Sequence, residues 1–236
     1  KSRNSLPRDF AASTQDGYLL GTPRSQVVQE YGHKFLVDWE GGQKTGFFLD
    51  QRENRRLLAN YARDKKVLNT FCYTGGFSIY ALQAGARLVE SVGASSTAMD
   101  LTDRNVHLNG FEAHRHRSHT QDVQEFLKEA SDDYDIVVVD PPAFAKNIKK
   151  RHNAVQGYKR LNVQALKKVK PGGLLFTFSC SQVVDQQLFY DTIVAAAMES
   201  GRSARVLHQL TQPPDHPVSI FHPEGAYLKG LVLYID

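Results

Sequence analysis

Cysteine is scarce in this chain: Cys72 and Cys180 are the only two among 236 residues. Two thiols so far apart make no disulfide framework, which excludes a covalently stapled secreted domain. Long apolar runs are lacking too. No stretch approaches the roughly 20 residues a membrane helix needs, and no charged-then-apolar leader opens the sequence. A reducing cytoplasm is therefore the expected setting. The chain begins at Lys1 rather than Met, which suggests that something upstream has been removed. Repeats and low-complexity tracts are missing, which argues against solenoids and disordered arrays. Missing as well is the GxGxxG fingerprint, which makes a Rossmann oxidoreductase a poor reading.

What is present is an ordinary globular composition, 41% hydrophobic and 23% charged, long enough to bury a sizeable core. The net charge of +4 mildly favours a polyanionic partner. Positive charge gathers at Lys146, Lys149, Lys150 and Arg151; alone, such a run also suits a solvated loop.

The first 25 residues are polar and read as irregular. Val27–Glu30 and Phe35–Trp39 read as a hairpin across Tyr31-Gly32-His33. Gly41-Gly42 leads to an expected third strand near Thr45–Leu49, and a helix is expected from about Arg52 to Ala62. From Lys66 onward strands and helices alternate. Strands are expected at Val67–Phe71, Leu88–Val92, Arg115–Thr120, Tyr134–Val139, Leu174–Phe178 and Tyr227–Tyr234. Helices are expected to end at Gly85, at Asn109-Gly110, near Ala130, and, for one running from about Val155 to Val169, at Pro171-Gly172-Gly173. Such alternation implies a mostly parallel α/β sheet with helices on both faces. Ligands of these sheets sit outside the carboxyl ends of the strands, so the residues just after each strand are the informative ones.

Three strand ends carry chemistry. The first is followed by Asn69-Thr70-Phe71-Cys72-Tyr73-Thr74-Gly75-Gly76-Phe77. Its glycines let backbone approach a ligand, and the helix it opens can receive a carboxylate. The fourth is followed by Asp140-Pro141-Pro142-Ala143-Phe144, a carboxylate and then a rigid exit suited to walling a flat base. The fifth is followed by Ser179-Cys180-Ser181. Cys180 lies one strand–helix–strand unit after Asp140, so the two face one crevice from adjacent strand ends. Gln121-Asp122 follows the third strand and offers a further carboxylate at the same edge of the sheet.

Together Phe-Cys-Tyr-Thr-Gly-Gly, Asp-Pro-Pro-Ala-Phe and Phe-Ser-Cys-Ser resemble motifs I, IV and VI of the 23S ribosomal RNA 5-methylcytosine methyltransferases of the large-subunit type. Further matches are Gly-Gly-Gln-Lys-Thr-Gly-Phe-Phe-Leu-Asp-Gln-Arg at 41–52, Gln-Gly-Tyr-Lys at 156–159, Asp-His-Pro-Val at 215–218 and Pro-Glu-Gly-Ala-Tyr-Leu-Lys-Gly at 223–230. The resemblance covers the chain from about residue 20. It implies a class I, Rossmann-like fold with a seven-stranded, mostly parallel sheet and an antiparallel last strand. A small β-hairpin subdomain would precede it, dividing the chain into 1–51 and 52–236. The family usually carries an N-terminal PUA domain, for which this sequence has no room.

The resemblance further implies S-adenosylmethionine as cofactor, ribosomal RNA (23S or its large-subunit precursor) as partner, and methylation of cytosine carbon 5 with Cys180 as covalent nucleophile. Asp140 would hold or protonate the pyrimidine edge. Pro141, Pro142, Phe144 and Lys146 would flank the base. Tyr73, Thr74 and Gly75 would approach the methionine part of the cofactor, and Phe48, Asp50, Gln51 and Arg52 would close the far side of its pocket. Cys72 is the competing nucleophile, better read as a packing residue. One departure stands out: the second strand ends in Gly93, where class I enzymes place an acidic residue for the ribose hydroxyls, so Ser95 or a water would have to compensate. Metal is not expected; His114, His116 and His119 lie on a polar strand without a ligand frame and read as solvent- or RNA-facing. A homodimer is left open. The competing readings are a methyltransferase acting on a guanine nitrogen, which needs no thiol, and an RNA-binding module whose cofactor site is impaired.

Overall fold

The computed structural model describes Leu20, residues 26–40, Gly42, residues 45–145 and residues 147–236. Apart from Leu20, the N-terminal segment expected to be irregular lies outside these, as do Gly41 and Lys146. Strands β1 (Val27–Glu30) and β2 (His33–Leu36) form the antiparallel hairpin. Helix α1 spans Arg52–Ala59. Then follow β3 (Lys66–Thr70), α2 (Gly76–Gln83), β4 (Leu88–Gly93), α3 (Ser96–Leu108), β5 (His116–Thr120), α4 (Val123–Glu129) and β6 (Tyr134–Val139). The chain closes with α5 (Arg151–Lys168), β7 (Val169–Ser179), α6 (Gln186–Ser200), β8 (Ala204–Leu210) and β9 (Lys229–Ile235).

Seven strands make one sheet in the order β5-β4-β3-β6-β7-β9-β8. Only β9 runs against its neighbours, pairing antiparallel with both β7 and β8. This is the Rossmann-like methyltransferase sheet with its small hairpin in front. The order reverses between β3 and β6, and the crevice above that switch point is the expected ligand site.

Strand periodicity builds the core. In β6 every residue is buried, but successive side chains point to opposite faces. Val137 and Val139 join Leu175, Leu233 and the inner faces of α4, α5 and α6. Ile136 and Val138 join Phe176, Phe178 and the inner faces of α1, α2 and α3. The hairpin belongs to the second cluster, through Phe35, Val37 and nearby Phe47. It is tied to α3 by the Leu36 amide, which donates to Asn105 Oδ1 at 2.7 Å.

Three expectations differ. Residues 45–49 form no strand: Thr45 Oγ1 turns back to the Phe47 carbonyl, Gly46 takes φ +79°, and the chain enters a 3-10 turn at Leu49–Gln51. Helix α5 starts at Arg151, four residues early, because the Asn147 side chain caps a 3-10 turn that feeds straight into it. Pro171-Gly172-Gly173 lies within β7: Val169 pairs with Tyr134 and Leu174 with Ile136, so the intervening residues bulge outward.

Candidate functional site

A cavity of about 280 Å³ lies over the carboxyl ends of β3, β4, β6 and β7. One wall is the loop leaving β3. Non-glycine residues Phe71 and Tyr73 hold left-handed φ values of +53° and +50° there, and Gly75 follows at +81°. Such conformations persist only where the surroundings enforce them. Helix α3 does so: Thr102 Oγ1 donates to the Tyr73 carbonyl and Asn105 Nδ2 to the Thr74 carbonyl, each at 2.9 Å. A side chain at position 75 would put its Cβ 2.8 Å from Thr102 Cγ2, so the close approach requires glycine. No side chain caps α2, which leaves its first-turn amides to a ligand or solvent.

Of the residues expected around the cofactor, Phe48, Asp50, Gln51, Tyr73, Thr74 and Ser95 line this cavity, as do Asp140, Pro141, Pro142 and Cys180. Cys72, Asn69 and Gly93 line it too. Phe48 meets the Tyr73 ring edge-on at 5.1 Å. Asp50 is buried; its Oδ2 accepts from Tyr227 Oη at 2.6 Å, while its Oδ1 has no partner. Asn69 Oδ1 is likewise buried without a partner. Two orphaned acceptors among the residues lining one cavity fit a ligand with amine or hydroxyl donors, such as the ammonium and ribose ends of S-adenosylmethionine.

Other expected residues lie elsewhere. Arg52 points to a separate cavity under the hairpin, where it donates to Asp215 and Glu53. Gln121 and Asp122 do not line the cavity; Asp122 caps α4 by accepting from the Gln124 and Glu125 amides. Phe144 turns away from the crevice and packs on Tyr158, ring centres 4.6 Å apart, because glycine at 157 leaves room beside it. Gly75 does not line the cavity, and Lys146 is outside the described residues. Ser95 lines the wall, yet its hydroxyl is used as the cap of α3, accepting from the Ala98 amide.

The histidines do not converge. His116 is packed on Ser91 Oγ and His119 on Glu90, both partly buried rather than solvent-facing, while His114 is exposed. Among the described residues no group of three or more His, Cys, Asp or Glu side chains is placed to hold a metal.

On the far side, Gln51 Nε2 donates to Asp140 Oδ2 at 3.0 Å, and Asn54 Nδ2 donates to Gln51 Oε1 at 2.7 Å. Helix α1 thus orients the Asp140 carboxylate. Beyond Cys180, Ser181 Oγ donates to the Ala145 carbonyl at 2.7 Å, joining the Cys180 loop to the Asp-Pro-Pro loop. Tyr227 and Lys229 come from the segment 223–230, for which the resemblance implies no individual roles. Burial, and then the neighbouring Asp50, raise the Tyr227 phenol well above its ordinary range. A lysine opening an otherwise apolar strand was the available signal for Lys229. Cys72 is buried, with Sγ 3.3 Å from Met99 Sδ, and burial pushes its thiol up to about 12. Gly93 offers no carboxylate at the end of β4. A Cβ there would lie 3.2 Å from Met99 Sδ and 3.6 Å from Cys72 Sγ.

Known proteins are similar to this chain in sequence and in fold. A family model described as S-adenosylmethionine-dependent methyltransferase matches residues 8–233. The ribosomal RNA large subunit methyltransferase I of Tolumonas auensis is 44% identical over 223 residues, which cover 92% of this chain and 56% of that protein. The chain thus spans little more than half the length of the curated relatives it matches. A SAM-dependent methyltransferase from Streptococcus mutans superposes with a TM-score of 0.80 at 26% identity, covering 92% of this chain and 57% of the other. A methyltransferase solved in complex with SAH superposes at 0.79 with 27% identity, covering 92% and 58%. The chain belongs to the family of S-adenosylmethionine-dependent methyltransferases.

Proposed function

We propose that the protein methylates carbon 5 of a cytosine in large-subunit ribosomal RNA, with Cys180 as covalent nucleophile and Asp140 holding the pyrimidine edge. One observation carries this reading: Cys180 and Asp140 line the same cavity as the strained loop after β3. The name of the Tolumonas auensis relative supports ribosomal RNA as substrate. So do the exposed Lys149, Lys150 and Arg151 directly after the Asp-Pro-Pro loop, which suit phosphate contacts. Among the described residues no helix is long and apolar enough to cross a membrane, in keeping with work in the cytoplasm.

The cofactor would be held by Phe48, Asp50, Tyr73, Thr74 and Asn69, and when bound it supplies an electrophilic methyl group. The rest is the work of the chain. Carbon 5 of cytosine is a poor nucleophile. The Cys180 thiolate adds to carbon 6, forming a sulfur–carbon bond and shifting the ring electrons to carbon 5. A methyl group supplied to carbon 5 would leave the cofactor as S-adenosylhomocysteine; loss of the carbon 5 proton to water then reforms the ring double bond and expels Cys180 as the thiolate. Asp140, oriented by Gln51, keeps the ring edge in register with Cys180. Pro141 and Pro142 make the rigid wall against which an unstacked base would lie.

Mass mapping of 23S ribosomal RNA after incubation with protein and isotope-labelled S-adenosylmethionine tests this. One 5-methylcytosine is expected; label on a guanine, or none, would overturn it. The bare end of β4 at Gly93 favours a second reading, an RNA-binding module with an impaired cofactor site. Calorimetry with S-adenosylmethionine separates the two.

A further inference from the structure

Lys229 opens β9 directly opposite Ser179, the last residue of β7 and the neighbour of Cys180. Its side chain is buried. Its Nζ donates to the carbonyls of Ser181 at 2.7 Å and Val184 at 2.5 Å, both in the turn that carries Cys180 away from the sheet. No carboxylate lies within ion-pair distance of it among the described residues, and a buried ammonium without a counter-charge is costly. The strand is built to bring it there. Gly230 follows, and a Cβ at that position would strike the Phe178 ring at 2.5 Å, so only glycine lets β9 lie this close to the end of β7.

We propose that Lys229 is a positioning residue that holds Cys180 as a thiolate: its buried ammonium, anchored on the Ser181 and Val184 carbonyls, places positive charge behind the nucleophile. Every charged or titratable group facing the pair bears on this. Asp140 from the loop after β6, Tyr158 from α5, Tyr227 before β9 and Asp50 through Tyr227 are neutral or anionic. Asp185, at the start of α6, acts on Lys229 and caps its own helix. Arg55 also lines the cavity, but Glu30 takes its guanidinium in a bidentate pair. Among the described residues, Lys229 is thus the cation available to the thiol. Burial lowers the Lys229 ammonium, while Cys180 and then Asp185 counter that. A neighbouring cation favours the thiolate, and the proton released goes to solvent before attack.

The proposal rests on the reading of Cys180 as nucleophile, but alkylation reads the thiol without RNA or cofactor, so the two can fail separately. Iodoacetamide labelling, with Cys180 followed by peptide mass spectrometry, is run across pH on the wild type, Lys229→Met and Lys229→Arg. The Lys229→Met rate at about pH 7 should fall roughly tenfold while the rates near pH 10 stay within about twofold, and Lys229→Arg should recover most of the loss. A purely structural role would change both rates alike, and an unchanged pH profile in Lys229→Met overturns the proposal. If Lys229→Met does not fold, the wild type decides. A labelling midpoint below the ordinary value of about 8.5, kept in about 1 M salt that screens surface charges, supports a buried cation; a midpoint at or above it overturns the idea.

Discussion

The two cysteines of this protein line one cavity, yet their surroundings differ. Cys72 follows β3 and is sealed against Met99 and the end of β4. Burial keeps its thiol protonated, pushed up to about 12. Cys180 follows β7, is only partly buried, and sits in a turn anchored by a buried ammonium. A thiol at a strand end is therefore not in itself a nucleophile. On the reading proposed above, what separates the two is desolvation without a counter-charge at one end and the Lys229 ammonium at the other.

The comparison breaks most sharply on the reaction itself. Cys180→Ala should lose methyl transfer by at least about a thousandfold while keeping cofactor affinity, because the thiolate acts only on the way to the transition state. RNA carrying 5-fluorocytosine at the target should trap wild-type protein as a covalent adduct, since fluorine does not leave as a proton does, and Cys72→Ala should still form it. An adduct that maps to Cys72, or normal methylation by Cys180→Ala, would sink the mechanism and move the thiol-free guanine reading ahead.

Alkaline stability sharpens the same contrast. Buried Cys72 stays protonated up to about 12 where an ordinary thiol ionises at about 8.5, so its folded value is raised. The stability it contributes is whole below about pH 8.5 and is lost as the pH rises toward about 12, by up to about 5 kcal/mol. Urea midpoints of Cys72→Ala, somewhat lower at neutral pH for the lost packing, should fall less steeply across that window than those of the wild type. Parallel slopes would show that Cys72 is more open than its packing indicates.

On the other wall, Gln51 orients Asp140. Gln51→Ala should slow methyl transfer about ten- to a hundredfold with little change in cofactor affinity, as misplaced catalytic groups do. Gln51→Glu, which sets a second carboxylate against Asp140, should be slower still at neutral pH and recover in part on acidification. A Gln51→Ala variant with wild-type turnover would mean that Asp140 needs no such support.

The sheet was legible because strand periods are local. Tyr134–Val139 reads as a buried strand from its apolar run alone, and polar His116–Thr120 still forms β5 because it lies at the sheet edge. The strand ends that carry Asp140 and Cys180 could be placed on one crevice by spacing. What stayed hidden depends on where side chains turn in loops. Asp122 reads from its strand end as a ligand-facing carboxylate, but it accepts from the amides of its own helix instead. Phe144 looked like a base wall until Gly157 opened a place for it beside Tyr158. The role proposed for Lys229 depends on an antiparallel pairing of β9 with β7 that brings its side chain to a turn 48 residues away, which no local pattern reveals.

Gly93 offers the smallest and finest test, because it touches the same sulfur cluster that silences Cys72. Gly93→Asp would put a carboxylate at the end of β4, where charged hydrogen bonds to ribose hydroxyls are worth about 1.5–3 kcal/mol. The new Cβ must first find room, with Met99 Sδ 3.2 Å away and Cys72 Sγ at 3.6 Å. A thioether adapts readily, so part of the gain survives. The dissociation constant for S-adenosylmethionine, measured by calorimetry, should fall a few-fold, and by roughly ten- to a hundredfold if the strain is fully relieved. Adding Met99→Ala to Gly93→Asp should recover the remainder, because that removes the atom the new side chain meets first. If neither variant binds more tightly, the ribose lies elsewhere. The Cys72–Met99 sulfur pair would then be packing alone and no part of the wall against the cofactor.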